Sequence, residues 1–76
     1  MKLCELETPA LVLDLDLLEQ NMAAMSKALE GGSARLRPHF KSNKCTAIAK
    51  RQMAAGAKGI TCAKLGEAEV LVEAGI

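Results

Sequence analysis

Lys41 is the residue with the most chemistry to offer. It lies in Arg35-Leu36-Arg37-Pro38-His39-Phe40-Lys41-Ser42-Asn43-Lys44-Cys45, which holds the only His, the only Phe and four of the ten basic side chains. A lysine amine that is desolvated among other cations loses its proton readily and can form an imine with an aldehyde cofactor. Period-2 alternation along a strand puts Arg35, Arg37, His39 and Lys41 on one face and Leu36, Pro38 and Phe40 on the other. Arg37 and His39 are therefore the expected neighbours of Lys41. A solvated edge strand, or a lysine paired with a carboxylate, gives the same pattern. Lys44, in the first turn of the following helix, and Lys64, on a strand face with Ile60 and Cys62, compete for the role.

Asp14 and Asp16 share a strand face and could hold a cation, but capping the next helix explains them more simply. With one His and no clustered ligands, no metal site is expected within the chain. Cys4, Cys45 and Cys62 have no C-x-x-C spacing and read as reduced thiols of a cytoplasmic protein. No Gly-rich phosphate loop follows the first apolar run, which disfavours nucleotide cofactors.

The elements that must position Lys41 follow from hydrophobic periodicity. Pro9 to Asp16 alternates as a half-buried strand, with Leu11, Leu13 and Leu15 on one side. Asp16 and Glu19 match a capping box, so a helix is expected from Leu17, with the stripe Leu18, Met22, Met25 and Leu29, ending at Gly31-Gly32. After the strand Arg35 to Phe40, Ser42-Asn43 is a good N-cap pair for a helix from Asn43 to Ala55. Its Cys45, Ile48, Ala49 and Met53 face a core, and Lys44, Lys50 and Arg51 face water. Gly59 to Leu65 reads as a further strand, and Gly66 opens a helix with Glu67 and Glu69 in its first turn and Ala68, Leu71 and Val72 buried.

Strand and helix alternate with short connections, which predicts an α/β fold with parallel strands and right-handed crossovers. Three β-α units, at 8–30, 34–56 and 59–75, with Ile76 opening another strand, cannot close an eight-stranded barrel of about 250 residues. The expectation is an N-terminal fragment of a (β/α)8 TIM-like barrel, in which Lys41 sits at the C-terminal edge of its strand, where such folds bind ligands. Seventy-six residues bury little surface alone, so weak stability and no turnover are expected of them in isolation. Net charge is +1, too little to draw in nucleic acid, and no apolar run is long enough to span a membrane or act as a signal.

The segment Arg37-Pro38-His39-Phe40-Lys41-Ser42-Asn43-Lys44 resembles the cofactor-lysine region of the D-threonine aldolase and D-serine dehydratase group, Arg-Pro-His-x-Lys-Thr-His-Lys, whose fold is of the alanine-racemase type. Thr8 to Asp16 and Gly59 to Glu69 resemble the same group, so the likeness covers nearly the whole chain. Ser42 and Asn43 stand where the group has Thr and His. The resemblance implies a pyridoxal-phosphate lyase for D-3-hydroxy amino acids, with Lys41 as the lysine that holds the cofactor and His39 and Arg37 beside it. It also implies a divalent metal, Mn or Zn, whose ligands lie outside these residues, and a small D-amino acid as substrate; the full-length protein is expected to be a homodimer. An amino-acid racemase of the same fold, a non-catalytic pyridoxal-phosphate-binding protein and an independent interaction module are the alternatives. The Arg37-Pro38-His39 lead-in favours the enzyme, and racemisation needs a second acid/base that this stretch does not supply.

Overall fold

The computed structural model describes residues 1–76. A 3-10 turn at Leu3–Glu5 is followed by three helices, α1 (Leu15–Ala28), α2 (Thr46–Ala54) and α3 (Leu65–Glu73). Sheet structure is reduced to one parallel bridge, His39 to Thr61. The chain is thus mostly helical, and the strands expected from alternation are present only as short extended runs.

The expected strand at Pro9 to Asp16 does not form. Residues 10–14 have no regular structure, and none of them donates a backbone hydrogen bond to another segment. A strand is stabilised by its partner, and here none reaches this run. Leu11 is fully exposed, and Leu13 is 51% exposed. The first helix starts two residues earlier than expected because Asp14, not Asp16, is its N-cap: the Leu17 N–H donates to Asp14 Oδ1 at 3.0 Å. Asp16 lies in the first turn, well placed for the helix dipole. Gly31, in the left-handed region at φ 79°, lies just past the last turn.

The core is built around Phe40, Ala49 and Leu71, with Ile60, Cys62 and Ile76 packed against it. Along residues 36–41 burial alternates: Leu36, Pro38 and His39 are half-buried, Phe40 is 4% exposed, and Arg37 and Lys41 are exposed. Phe40 and Lys41 therefore occupy opposite faces. In α2, Ile48 and Met53 are half-buried and Ala49 is fully buried, with Lys50 and Arg51 in water; just before the helix, Cys45 is half-buried and Lys44 exposed. Ala49 has no room for a larger side chain where the helix meets Phe40 and Leu71.

α1 packs loosely. It buries no residue completely; Leu18, Met22 and Leu29 are half-buried, and Met25 is 49% exposed. Two contacts hold it to α2: an ion pair between Arg51 Nη1 and Glu19 Oε1 at 2.7 Å, and the Ser26 hydroxyl donating to the Ala55 carbonyl at 3.0 Å. An open groove lined by Met22, Ser26, Leu36 and Ala55 runs beneath it.

Candidate active site

The parallel pairing that positions Lys41 rests on three backbone bonds. Lys58 N–H donates to Leu36 O, Thr61 N–H to Pro38 O and Phe40 N–H to Thr61 O, each at 2.8 Å. Regular spacing from the His39–Thr61 bridge would have Gly59, not Lys58, donate to Leu36 O, so the ladder slips by one residue there. On this side the pairing stops at one bridge because of that slip and because Pro38 has no N–H to give the Gly59 carbonyl. Thr61 is exposed between half-buried Ile60 and Cys62, which puts it on the face that carries His39.

Arg37 lies on that face too. A Cβ on Gly59 would come within 2.6 Å of Arg37 Nη1, so a residue without a side chain lets the guanidinium cross the neighbouring strand. Thr61 donates its hydroxyl to the Arg37 carbonyl at 3.2 Å. His39 turns back on its own strand: its Nδ1 accepts the Lys41 N–H at 3.1 Å. With Nδ1 an acceptor, the neutral imidazole carries its proton on Nε2. Lys41 is exposed, and no carboxylate lies within ion-pair distance of it, since the chain's single ion pair is Arg51–Glu19.

Both strands end immediately after the bridge. The Phe40 carbonyl accepts the Lys44 N–H at 2.9 Å, closing a tight turn over residues 40–44. Asn43 Oδ1 accepts the Cys45 N–H at 2.9 Å, and Lys44 takes a left-handed backbone, φ 49°. These bonds correct two expectations. The helix starts at Thr46 and not Asn43, with Cys45 as N-cap and no side-chain cap. Lys44 consequently precedes the helix instead of lying in its first turn. Asn and Ser bond their own neighbouring backbone as readily as a helix end, and here Asn43 does so one turn early.

On the second strand, Glu67 Oε1 accepts the N–H groups of Ala63 at 2.8 Å and Lys64 at 3.3 Å. Its carboxyl is held below its ordinary value of about 4.5, first by the Ala63 bond, against partial desolvation, then by the Lys64 bond and the charge of Lys44. Lys64 is exposed as the residue preceding α3, which begins at Leu65 and not Gly66. Thr61 and Glu67 are the two residues at this edge that alternation alone does not single out. The Lys64-Leu65-Gly66-Glu67 spacing, with its acidic residue at the third helical position, is the signal that could have found Glu67.

The chain holds no cluster of three or more His, Cys, Asp or Glu side chains suited to a metal, and its three thiols are unpaired. No helix is long and apolar enough to cross a membrane.

The profile of the alanine racemase N-terminal domain matches residues 13–76, which include the whole of this edge. The chain belongs to that family. It is 49% identical over 74 residues to a D-threonine aldolase of an Arthrobacter species, covering 97% of this chain and 20% of that protein. To a D-threo-3-hydroxyaspartate dehydratase of Delftia sp. (strain HT23) it is 47% identical over 73 residues, covering 96% and 19%. The crystal structure of D-threonine aldolase from Filomicrobium marinum superposes with a TM-score of 0.92 at 55% identity, over 97% of this chain and 20% of that one. The fold is accordingly of the TIM-barrel type, and the family implies pyridoxal phosphate. The chain spans about a fifth of the length of the curated relatives it matches.

Proposed function

We propose that these residues are the N-terminal part, three β-α units at 8–30, 34–56 and 59–75, of a (β/α)8 barrel enzyme. That enzyme is a pyridoxal-phosphate lyase acting on D-3-hydroxy amino acids, of the aldolase or dehydratase type, and Lys41 holds its cofactor. The observation that carries the reading is the end of the ladder at His39 and Thr61, beyond which Lys41 stands exposed, free of any carboxylate and backed by buried Phe40. The substrates named for the relatives, D-threonine and D-threo-3-hydroxyaspartate, share the D configuration and a hydroxyl on Cβ.

The residues present suit the cofactor: an amine for its aldehyde, with imidazole and guanidinium donors on the same face for an anionic phosphorylated ring. Bound pyridoxal phosphate supplies an electron sink for the pair left behind when a bond of the substrate amino acid breaks. The protein's part is orientation. Lys41 is the anchor, and His39, by accepting the lysine's N–H, fixes the backbone from which the amine extends. Arg37 is held over Gly59 and brings positive charge to the face, while Phe40 closes the opposite side against water. The phosphate cup, a divalent metal (Mn or Zn) with its ligands and the second subunit of a homodimer belong to the rest of the protein, whose place is the cytoplasm. These 76 residues alone have no turnover, because the preorganised groups that stabilise developing charge are not among them.

The test is turnover by the full-length protein loaded with pyridoxal phosphate and supplied with D-threonine or D-threo-3-hydroxyaspartate. An aldehyde with a shorter amino acid marks the aldolase, and a 2-oxo acid with ammonia the dehydratase. Lys41→Ala should abolish both the turnover and the imine absorbance, whereas Lys44→Ala should retain the absorbance. Interconversion of D and L forms without either product would replace the reading with a racemase, and cofactor binding without turnover would replace it with a carrier.

A further inference from the structure

The register set by His39 and Thr61 has a natural continuation in which the Ala63 N–H donates to the Phe40 carbonyl, pairing Lys41 with Ala63 across the sheet. The Ala63 N–H, a single donor, is not free to make that bond. It donates to Glu67 instead, and the Phe40 carbonyl accepts the Lys44 N–H in place of it. We propose that Glu67 is a positioning residue for Lys41: its carboxylate, by taking the Ala63 and Lys64 N–H groups, ends the parallel ladder one residue short of the lysine and holds Lys41 clear of the sheet. The inference rests on the reading of Lys41 as the cofactor lysine.

Three observations separate this from an ordinary acidic residue in a helix's first turn. A carboxylate that only answers the helix dipole has no need of the Ala63 amide, which lies outside the helix beyond the preceding residue, yet that bond is the shorter of the two. Glu67 makes no ion pair, so its carboxylate is not committed elsewhere. Among the groups that lower its pKa is the charge of Lys44, at the end of the turn that carries Lys41. Glu67 thus bonds one strand end while the Lys44 charge at the other favours its ionised form.

The test uses the full-length protein with pyridoxal phosphate and the pair Glu67→Gln and Glu67→Asp. Glutamine keeps a carbonyl oxygen at the same reach without the charge; aspartate keeps the charge but withdraws the oxygen by one methylene. Cofactor affinity is read from the imine absorbance, and amide exchange at Ala63 and Lys41 reports the strand ends. Glu67→Asp should weaken cofactor affinity about tenfold and speed exchange at both amides, whereas Glu67→Gln should stay within about threefold of the parent, a loss of one well-placed hydrogen bond against its retention. Affinity unchanged in Glu67→Asp, or a Gln variant that loses as much as the Asp variant, would overturn the proposal and leave Glu67 as a charge at a helix end. Borohydride trapping of the parent protein separates the two claims. A label on Lys41 with unaffected Glu67 variants removes only this inference, and a label on another lysine removes the assignment of Lys41 and this inference with it.

Discussion

Residues 6–28 and residues 36–76 are written in the same pattern language, alternation followed by an amphipathic helix, and they fold to different degrees. In the second region the extended run at 36–40 pairs with residues 58–61 and lies over α2 and α3, so Phe40 and Leu71 fall to 4% exposure. The first region has an equally clear alternation and a better-capped helix, yet residues 10–14 are unpaired and α1 buries nothing completely. Local pattern proposes an element, and a partner of matching shape decides whether it is buried. Lys41, the proposed cofactor lysine, lies in the region where the partner is present.

The sharpest way to break that contrast is to remove the partner. Phe40→Ala should cost about 3 to 5 kcal/mol, the usual range for emptying a buried aromatic site. It should also abolish amide protection at Phe40 and Thr61. Leu11→Ala in the same chain should leave protection unchanged, because that side chain touches water on all sides. Equal losses from the two substitutions would mean that the regions are not different in kind.

The same contrast marks what could be read from the sequence. The opposition of Phe40 and Lys41 was legible because one apolar residue in two needs no knowledge of the partner strand. So were the buried positions of α2 and the stop at Gly31. What could not be read was each bond that competes with a regular ladder or helix: Asp14 capping instead of Asp16, Asn43 folding back on Cys45, Lys58 donating where Gly59 was due, and Glu67 taking the Ala63 amide. Every one is a choice between two nearly equivalent local acceptors or donors, which composition and period do not distinguish. The run at 9–16 failed for the opposite reason. Its alternation was real, but a strand's stability belongs to the pair.

A smaller effect sharpens the comparison at the other end of the second region. Because the folded-state pKa of Glu67 is depressed, its contribution is fully present above about pH 4.5 and is lost as the pH falls through the lower folded value. Acidification below pH 4.5 should therefore raise amide exchange at Ala63 and Lys64 before it affects Phe40, and Glu67→Gln should remove that acid step. Simultaneous loss at all three amides would mean that Glu67 does not act on the strand end by itself.

The smallest expected effect lies between the two regions. Arg51 and Glu19 are 46% and 56% exposed, so Glu19→Ala should cost no more than about 1 kcal/mol, and 0.5 M salt should remove most of the difference. A loss of several kcal/mol would show that α1 is held to α2 as firmly as the core around Phe40 is held together.

The central claim is that the ladder ends where it does in order to present Lys41. Borohydride reduction of the full-length protein with pyridoxal phosphate, followed by peptide mapping, tests it most directly. The account predicts a single pyridoxyl label on Lys41, on the peptide that carries His39 and Phe40; a label on Lys44 or Lys64 would contradict it.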